Sequence, residues 1–103
     1  MPRLQIGVPG LDGHGIEADP QKDLEISYKT TRHRFSTTTP DICVCILSWT
    51  AGMTANLAAM LLYDLIKRYC RKPPEKITID RYEITFDKGE IEKVIQEHIT
   101  REK

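Results

Sequence analysis

An uninterrupted apolar segment, residues 42–47, leads through a short corner into a longer apolar segment at residues 53–69. A strand formed by the first segment would be apolar on both faces, which predicts a strand buried on both sides of a sheet. The second segment has helical spacing and is apolar over most of its circumference, as helices are when they are buried on more than one side. The two elements are therefore expected to form the centre of the fold.

Length and composition favour one small cytoplasmic domain. A chain of 103 residues can bury a single core, so residues 1–103 are expected to form one domain. The 15 Lys and Arg residues balance the 15 Asp and Glu residues, which gives no whole-protein argument for a polyanionic partner. The three cysteines lack the spacing of a disulfide framework and predict reduced thiols. No secretory signal or membrane-spanning segment is recognised, so we expect a cytoplasmic protein without membrane contact.

The first part of the sequence predicts strands and one long loop. Residues 4–8 and 23–31 alternate apolar with polar side chains, and residues 35–39 are rich in Thr, as exposed strands often are. Residues 9–21 are rich in glycine and predict a flexible loop, with no helix before Pro20.

The second part predicts a hairpin followed by a helix. Residues 76–80 and 82–86 alternate apolar with polar side chains on either side of a tight turn. Asp87 and Glu90 have the spacing of a capping box at the start of an amphipathic helix. The whole pattern predicts an α+β fold with the order β-β-β-α-β-β-α. We expect a two-layer sandwich in which a mixed or antiparallel sheet carries both helices on one face.

No group of residues predicts catalysis. The glycine-rich loop lacks the Lys-Ser/Thr pair of a phosphate-binding loop, and Pro9 removes one of its amides. His14 lies in this loop, and the sequence leaves open whether the loop binds a ligand or carries the site of a small enzyme. His98 falls on the apolar stripe of the last helix, and the sequence places no nucleophile or carboxylate beside it. We therefore expect a non-enzymatic protein that uses no cofactor.

The cysteines predict core packing and no metal site. Cys43 and Cys45 are two residues apart in a strand, so their side chains are expected on the same face. A structural zinc site needs a fuller set of paired ligands, which the sequence does not supply. Both thiols are therefore expected to be buried as small apolar residues.

The breadth of the apolar surface on the helix at residues 53–69 predicts a protein–protein contact. One small sheet cannot cover such a helix completely, so the protein is expected to bind another protein or a second copy of itself, most simply as a two-fold dimer. The residues expected at this contact are Leu62, Tyr63, Ile66 and Tyr69.

Two basic clusters leave nucleic-acid binding open as an alternative function. One surrounds residues 29–34 and the other residues 67–76, with aromatic side chains nearby that can stack on bases. If the fold brings the clusters together, the residues expected to contact phosphate are Arg32, Arg34, Lys67, Arg68, Arg71 and Lys72. Otherwise the second cluster complements the negative end of a helix dipole.

Residues 42–98 resemble the effector-associated constant component family of bacterial conflict systems. The shared features are a strand that ends in Leu47-Ser48 and continues to Ala51-Gly52, a helix with Leu57, Ala58 and Leu65, and a hairpin with Ile77-Thr78-Ile79 and Glu83-Ile84-Thr85-Phe86 before a terminal helix. This resemblance implies a non-enzymatic adaptor that works beside an effector enzyme. It assigns no functional residue to this chain.

Overall fold

The computed structural model describes residues 3–19, 21–32 and 41–101. Its elements are β1 (Arg3–Pro9), α1 (Gly13–Glu17), β2 (Leu24–Arg32), β3 (Ile42–Trp49), α2 (Ala55–Tyr69), β4 (Lys76–Ile79), β5 (Tyr82–Thr85) and α3 (Lys88–Arg101). The predicted α+β fold is confirmed, and α1 is an addition to the predicted order. The strand predicted at residues 35–39 and the predicted contact residue Arg34 lie outside the described residues.

The described strands form one antiparallel sheet in the order β2-β3-β1-β4-β5. β1 lies in the middle, where Ile6 pairs with Cys45 of β3 on one side and with Ile79 of β4 on the other. Paired residues of an antiparallel sheet point to the same face, so these three side chains are directed towards one layer. All three are completely buried.

One continuous core joins this face of the sheet to α2 and α3. Alternate residues of the strands supply one half of the core, and the buried sides of the two long helices supply the other half. Trp49 of β3 contacts His98 of α3 edge to face, with their ring centroids 6.0 Å apart. The core residues with the largest fully buried side chains are Trp49, Ile6, Ile16, Leu47, Leu62, Ile66, Ile77, Ile79, Ile91 and Ile95.

Both long helices begin at side chains that accept backbone hydrogen bonds. The Thr54 hydroxyl accepts from the Leu57 amide at 3.2 Å, so α2 begins two residues later than predicted. Asp87 Oδ2 accepts from the amides of Gly89 and Glu90 at 3.0 and 3.3 Å, which confirms the predicted cap of α3. Such caps satisfy amides that have no partner inside the helix.

The prediction that residues 9–21 contain no helix is wrong, because this segment forms α1. Asp12 Oδ1 accepts from the Gly15 amide at 3.1 Å and caps the helix, while the Asp12 amide donates to the Tyr69 carbonyl at 3.0 Å. Five residues that include two glycines have little intrinsic helical preference. The capping bond and tertiary contacts therefore stabilise α1.

Gly13 allows α1 to approach the sheet closely. A Cβ atom built at this position would clash with the Tyr28 ring and lie 2.7 Å from Cys43 Sγ. Real Cβ atoms do not approach neighbours so closely, so any larger residue would displace α1 or the side chains beneath it.

Replacing Gly13 with Ala is expected to reduce the free energy of unfolding by about 1–3 kcal/mol, the usual cost of overpacking. Gly52→Ala is the matched control, because a Cβ at Gly52 would meet no atom within 4 Å. Urea unfolding of both variants measures the difference. Equal stabilities would contradict the close approach of α1.

Candidate functional site

Two of the four residues predicted to contact a partner are inaccessible in the folded chain. Leu62 and Ile66 are 0% exposed and point into the core shared with the sheet. A partner cannot reach either side chain without unfolding the domain. Most of the apolar circumference of α2 is therefore covered by the chain itself.

The other two predicted contact residues, Tyr63 and Tyr69, are half-buried and connect α2 to neighbouring elements. The Tyr63 ring stacks on Phe86 with centroids 4.7 Å apart, and Lys67 Nζ lies 5.3 Å from the Tyr63 centroid. The Tyr69 hydroxyl donates to Asp19 Oδ2 at 2.6 Å. Both rings thus have partners within the chain.

The accessible apolar surface of α2 is centred on Leu57, opposite the buried residues of the helix. Leu57 is 43% exposed, and Met53, Met60 and Leu61 are partly exposed. These four residues, Met53 just before α2 and the other three within it, are called the outer face of α2. Asp64 is exposed and lies two helical turns after Leu57, on the same side of α2. This polar residue is therefore the feature of the sequence that marks the solvent side of the helix.

The fold brings parts of both basic clusters to one end of the domain. Arg32 and Pro9 are both paired with Ile42, so the ends of β1 and β2 meet at the start of β3. Leu11 pairs with Cys70 at the end of α2. The residues that follow Cys70 are therefore placed at the same end of the domain as Arg32.

The cations at this end differ in their partners. Arg68 NH1 lies 3.0 Å from Asp19 Oδ2 in an ion pair. Arg32, Arg71 and Lys72 are exposed, and none of them has an ion pair within the described ranges. These three residues are called the basic end. An open cleft of about 360 Å³ lies beside it, lined by Gly10, Leu11, Asp12, Arg68, Tyr69, Cys70 and Arg71.

Asp19 joins the segment after α1 to the end of α2. It accepts hydrogen bonds from Tyr69 and Arg68 through Oδ2 and from Gln21 Nε2 through Oδ1 at 3.1 Å. The Tyr69 hydroxyl, together with the Arg68 guanidinium, holds the pKa of Asp19 below its ordinary value. Because both oxygens already accept hydrogen bonds, this carboxylate is suited to holding the two segments together and not to abstracting a proton.

The predicted placement of the cysteines is confirmed. Cys43 and Cys45 lie on the same face of β3, with their sulfur atoms 3.6 Å apart, and both are buried. Burial raises the pKa of both thiols and raises that of Cys70 to about 11. At neutral pH the thiols therefore remain protonated, which is the unreactive form.

The remaining candidate groups do not assemble into a reactive centre. The ring of His14 lies 4.8 Å from that of Tyr28, which pairs with Cys45, whereas His98 contacts Trp49, four residues further along β3. In the described part of the chain, no three or more His, Cys, Asp and Glu side chains are grouped so that they could hold a metal ion. None of the helices searched there has the length and apolarity needed to cross a membrane.

Comparison with known proteins identifies no relative. No protein-family model, curated protein or solved structure matches the chain. The resemblance to the effector-associated constant component family therefore stays a prediction.

Native Cys43 and Cys45 are expected to react slowly with an aromatic disulfide reagent at pH 8, because both are buried and protonated. The same thiols should react at once in urea. A Lys93→Cys variant provides an exposed thiol on α3 as the control. Labelling of Cys43 or Cys45 as fast as that of the control would show that β3 is accessible.

Proposed function

We propose that this protein is a non-enzymatic interaction module that acts in the cytoplasm as an adaptor. The observation that carries the proposal is the outer face of α2, where Leu57 remains 43% exposed on a helix whose opposite side is buried. The only other large apolar side chain exposed to this degree in the described residues is Tyr82. A partner that covered Leu57 would remove this apolar surface from water.

The surroundings of Leu57 suit a docking surface. Met60 and Leu61 widen the apolar area, while exposed Asn56 and Asp64 border it with polar groups. Protein interfaces commonly combine an apolar centre with a polar rim. Methionine also adapts its shape to a partner, because its side chain is unbranched and flexible.

The partner of this surface is another protein or a second copy of the chain. An adaptor role beside an effector enzyme of a bacterial conflict system follows from the sequence resemblance alone. The outer face comprises four residues, which favours a reversible contact over a permanent one, since permanent interfaces are larger and more apolar.

Leu57→Glu is expected to abolish binding at the outer face while leaving the melting temperature within a few degrees of the wild type, because the side chain is exposed. A photo-crosslinking amino acid placed at Met60 should capture a discrete protein in cells, and Leu57→Glu should remove that product. The same probe placed at Lys93 on α3 is the control. Identical products from both positions would contradict docking through α2.

Nucleic-acid binding is the second candidate, because the fold places Arg32, Arg71 and Lys72 at the same end of the domain. None of the three has an ion pair within the described ranges, so their charges are available to phosphate groups. The zero net charge and the acidic side chains nearby make this candidate weaker than protein docking.

If the basic end binds phosphates, replacing both Arg71 and Lys72 with Gln should reduce the slope of log affinity against log salt by about two contacts. Titration of a single-stranded oligonucleotide at several salt concentrations measures this slope. As the control, Lys93→Gln removes one charge from α3 and should leave the slope of log affinity against log salt unchanged. Absence of salt-dependent binding by the wild type would exclude this candidate.

A further inference from the structure

The two edges of the sheet differ in how many of their outward backbone amides and carbonyls already have hydrogen-bond partners within the chain. At the β2 edge, the Tyr28 amide donates to Glu17 Oε2 at 2.8 Å, and the Leu24 amide donates to the Gln21 carbonyl at 3.4 Å. The register of β2 also shifts between Tyr28 and Thr30. The chain itself therefore bonds two amides of the β2 edge and makes its register irregular, which are features that natural proteins use to prevent further strand pairing.

At the β5 edge, two residues direct their backbone groups away from the sheet. Ile84 pairs with Ile77, and the Phe86 amide donates to the Glu75 carbonyl at 2.9 Å, which continues the β4–β5 ladder by one step. Alternate residues of an antiparallel strand bond to the same neighbour. The amides and carbonyls of Glu83 and Thr85 therefore point outward, and β5 ends the described sheet.

We propose that β5 pairs antiparallel with β5 of a second copy of this chain, around a two-fold axis that passes through Ile84. The two sheets would then form one continuous sheet of ten strands, with the helices of both copies on the same side. This inference goes beyond the docking role proposed for α2, because it uses a different surface and can hold whether or not that role is correct.

The register around Ile84 satisfies the outward backbone groups. Glu83 of each copy would lie opposite Thr85 of the other, so the two outward-facing residues of one strand meet those of the second strand. Each of these two facing pairs exchanges an amide-to-carbonyl hydrogen bond in both directions. Four groups on each copy, the amides and carbonyls of Glu83 and Thr85, would thereby gain partners.

The same register places complementary side chains opposite each other. Tyr82 would face Phe86 of the other copy. Aromatic pairs at directly facing positions stabilise antiparallel strands. Tyr82 is 50% exposed in the single chain, although its ring centroid lies 6.0 Å from the Arg101 guanidinium. Strand pairing would cover this exposed aromatic surface.

This self-complementarity favours a second copy over an unrelated extended peptide. A two-fold contact requires that one surface match itself, and the segment from Tyr82 to Phe86 does so in backbone bonding and in aromatic side chains. A peptide could use the same backbone groups of Glu83 and Thr85. It would match Tyr82 and Phe86 only if its own sequence resembled this segment.

Thr85→Pro tests the proposal because it removes one outward amide from each copy without affecting the ladder to β4. Sedimentation equilibrium of the wild type should show a monomer–dimer equilibrium, and Thr85→Pro should weaken the dimer by at least about tenfold. Thr85→Val keeps the amide and should dimerise like the wild type. Leu57→Glu should also leave the dimer intact, which separates this contact from the outer face of α2.

Amide hydrogen exchange of the wild type gives a second measurement that does not depend on any variant. The amides of Glu83 and Thr85 should exchange at least about tenfold more slowly in the dimer than in the monomer, because only the second copy supplies their acceptors. A monomer at all concentrations would overturn the proposal. A dimer that leaves these two amides unprotected, or protection that appears only when a different protein is added, would also overturn it.

Discussion

The pairing of β1 with β3 is the constraint on which the rest of the structure depends. Its register runs without a break from Arg3 opposite Ser48 to Pro9 opposite Ile42. A slip of one residue would turn every buried side chain of one strand to the opposite face of the sheet. β2 is added to the free side of β3, and β4 is added to the free side of β1. The position of α2 and α3 follows, because both pack on the face that this register makes apolar.

Periodicity in the sequence predicted the elements that depend on local information. The continuous apolar run identified β3, the broad helical stripe identified α2, and Asp87 marked the start of α3. Strand order could not be predicted in the same way, because it depends on pairing between distant segments. Nothing in the short alternating segment of β1 shows that it occupies the middle of the sheet.

The candidate site was less predictable for two physical reasons. The apolar residues of α2 surround most of the helix and do not show which side faces the sheet, and one polar residue, Asp64, marks the solvent side. The predicted contact residues Leu62 and Ile66 belong to the core. α1 has no helical periodicity, and its glycines resemble those of a loop. Gly13 is required there by the nearness of Tyr28 and Cys43, which only the tertiary structure brings together.

The central position of β1 has a consequence for how the chain reaches its native state. β1 precedes both of its neighbours in the chain, and β4 in particular is separated from it by most of the domain. The chain must close a loop over this distance before the contacts of β1 can stabilise the fold. The entropic cost of that closure slows folding. Until then, Leu4, Ile6 and Val8 lie in a short apolar strand with both edges unpaired. The chain is therefore most prone to aggregate before β3 and β4 have paired with β1.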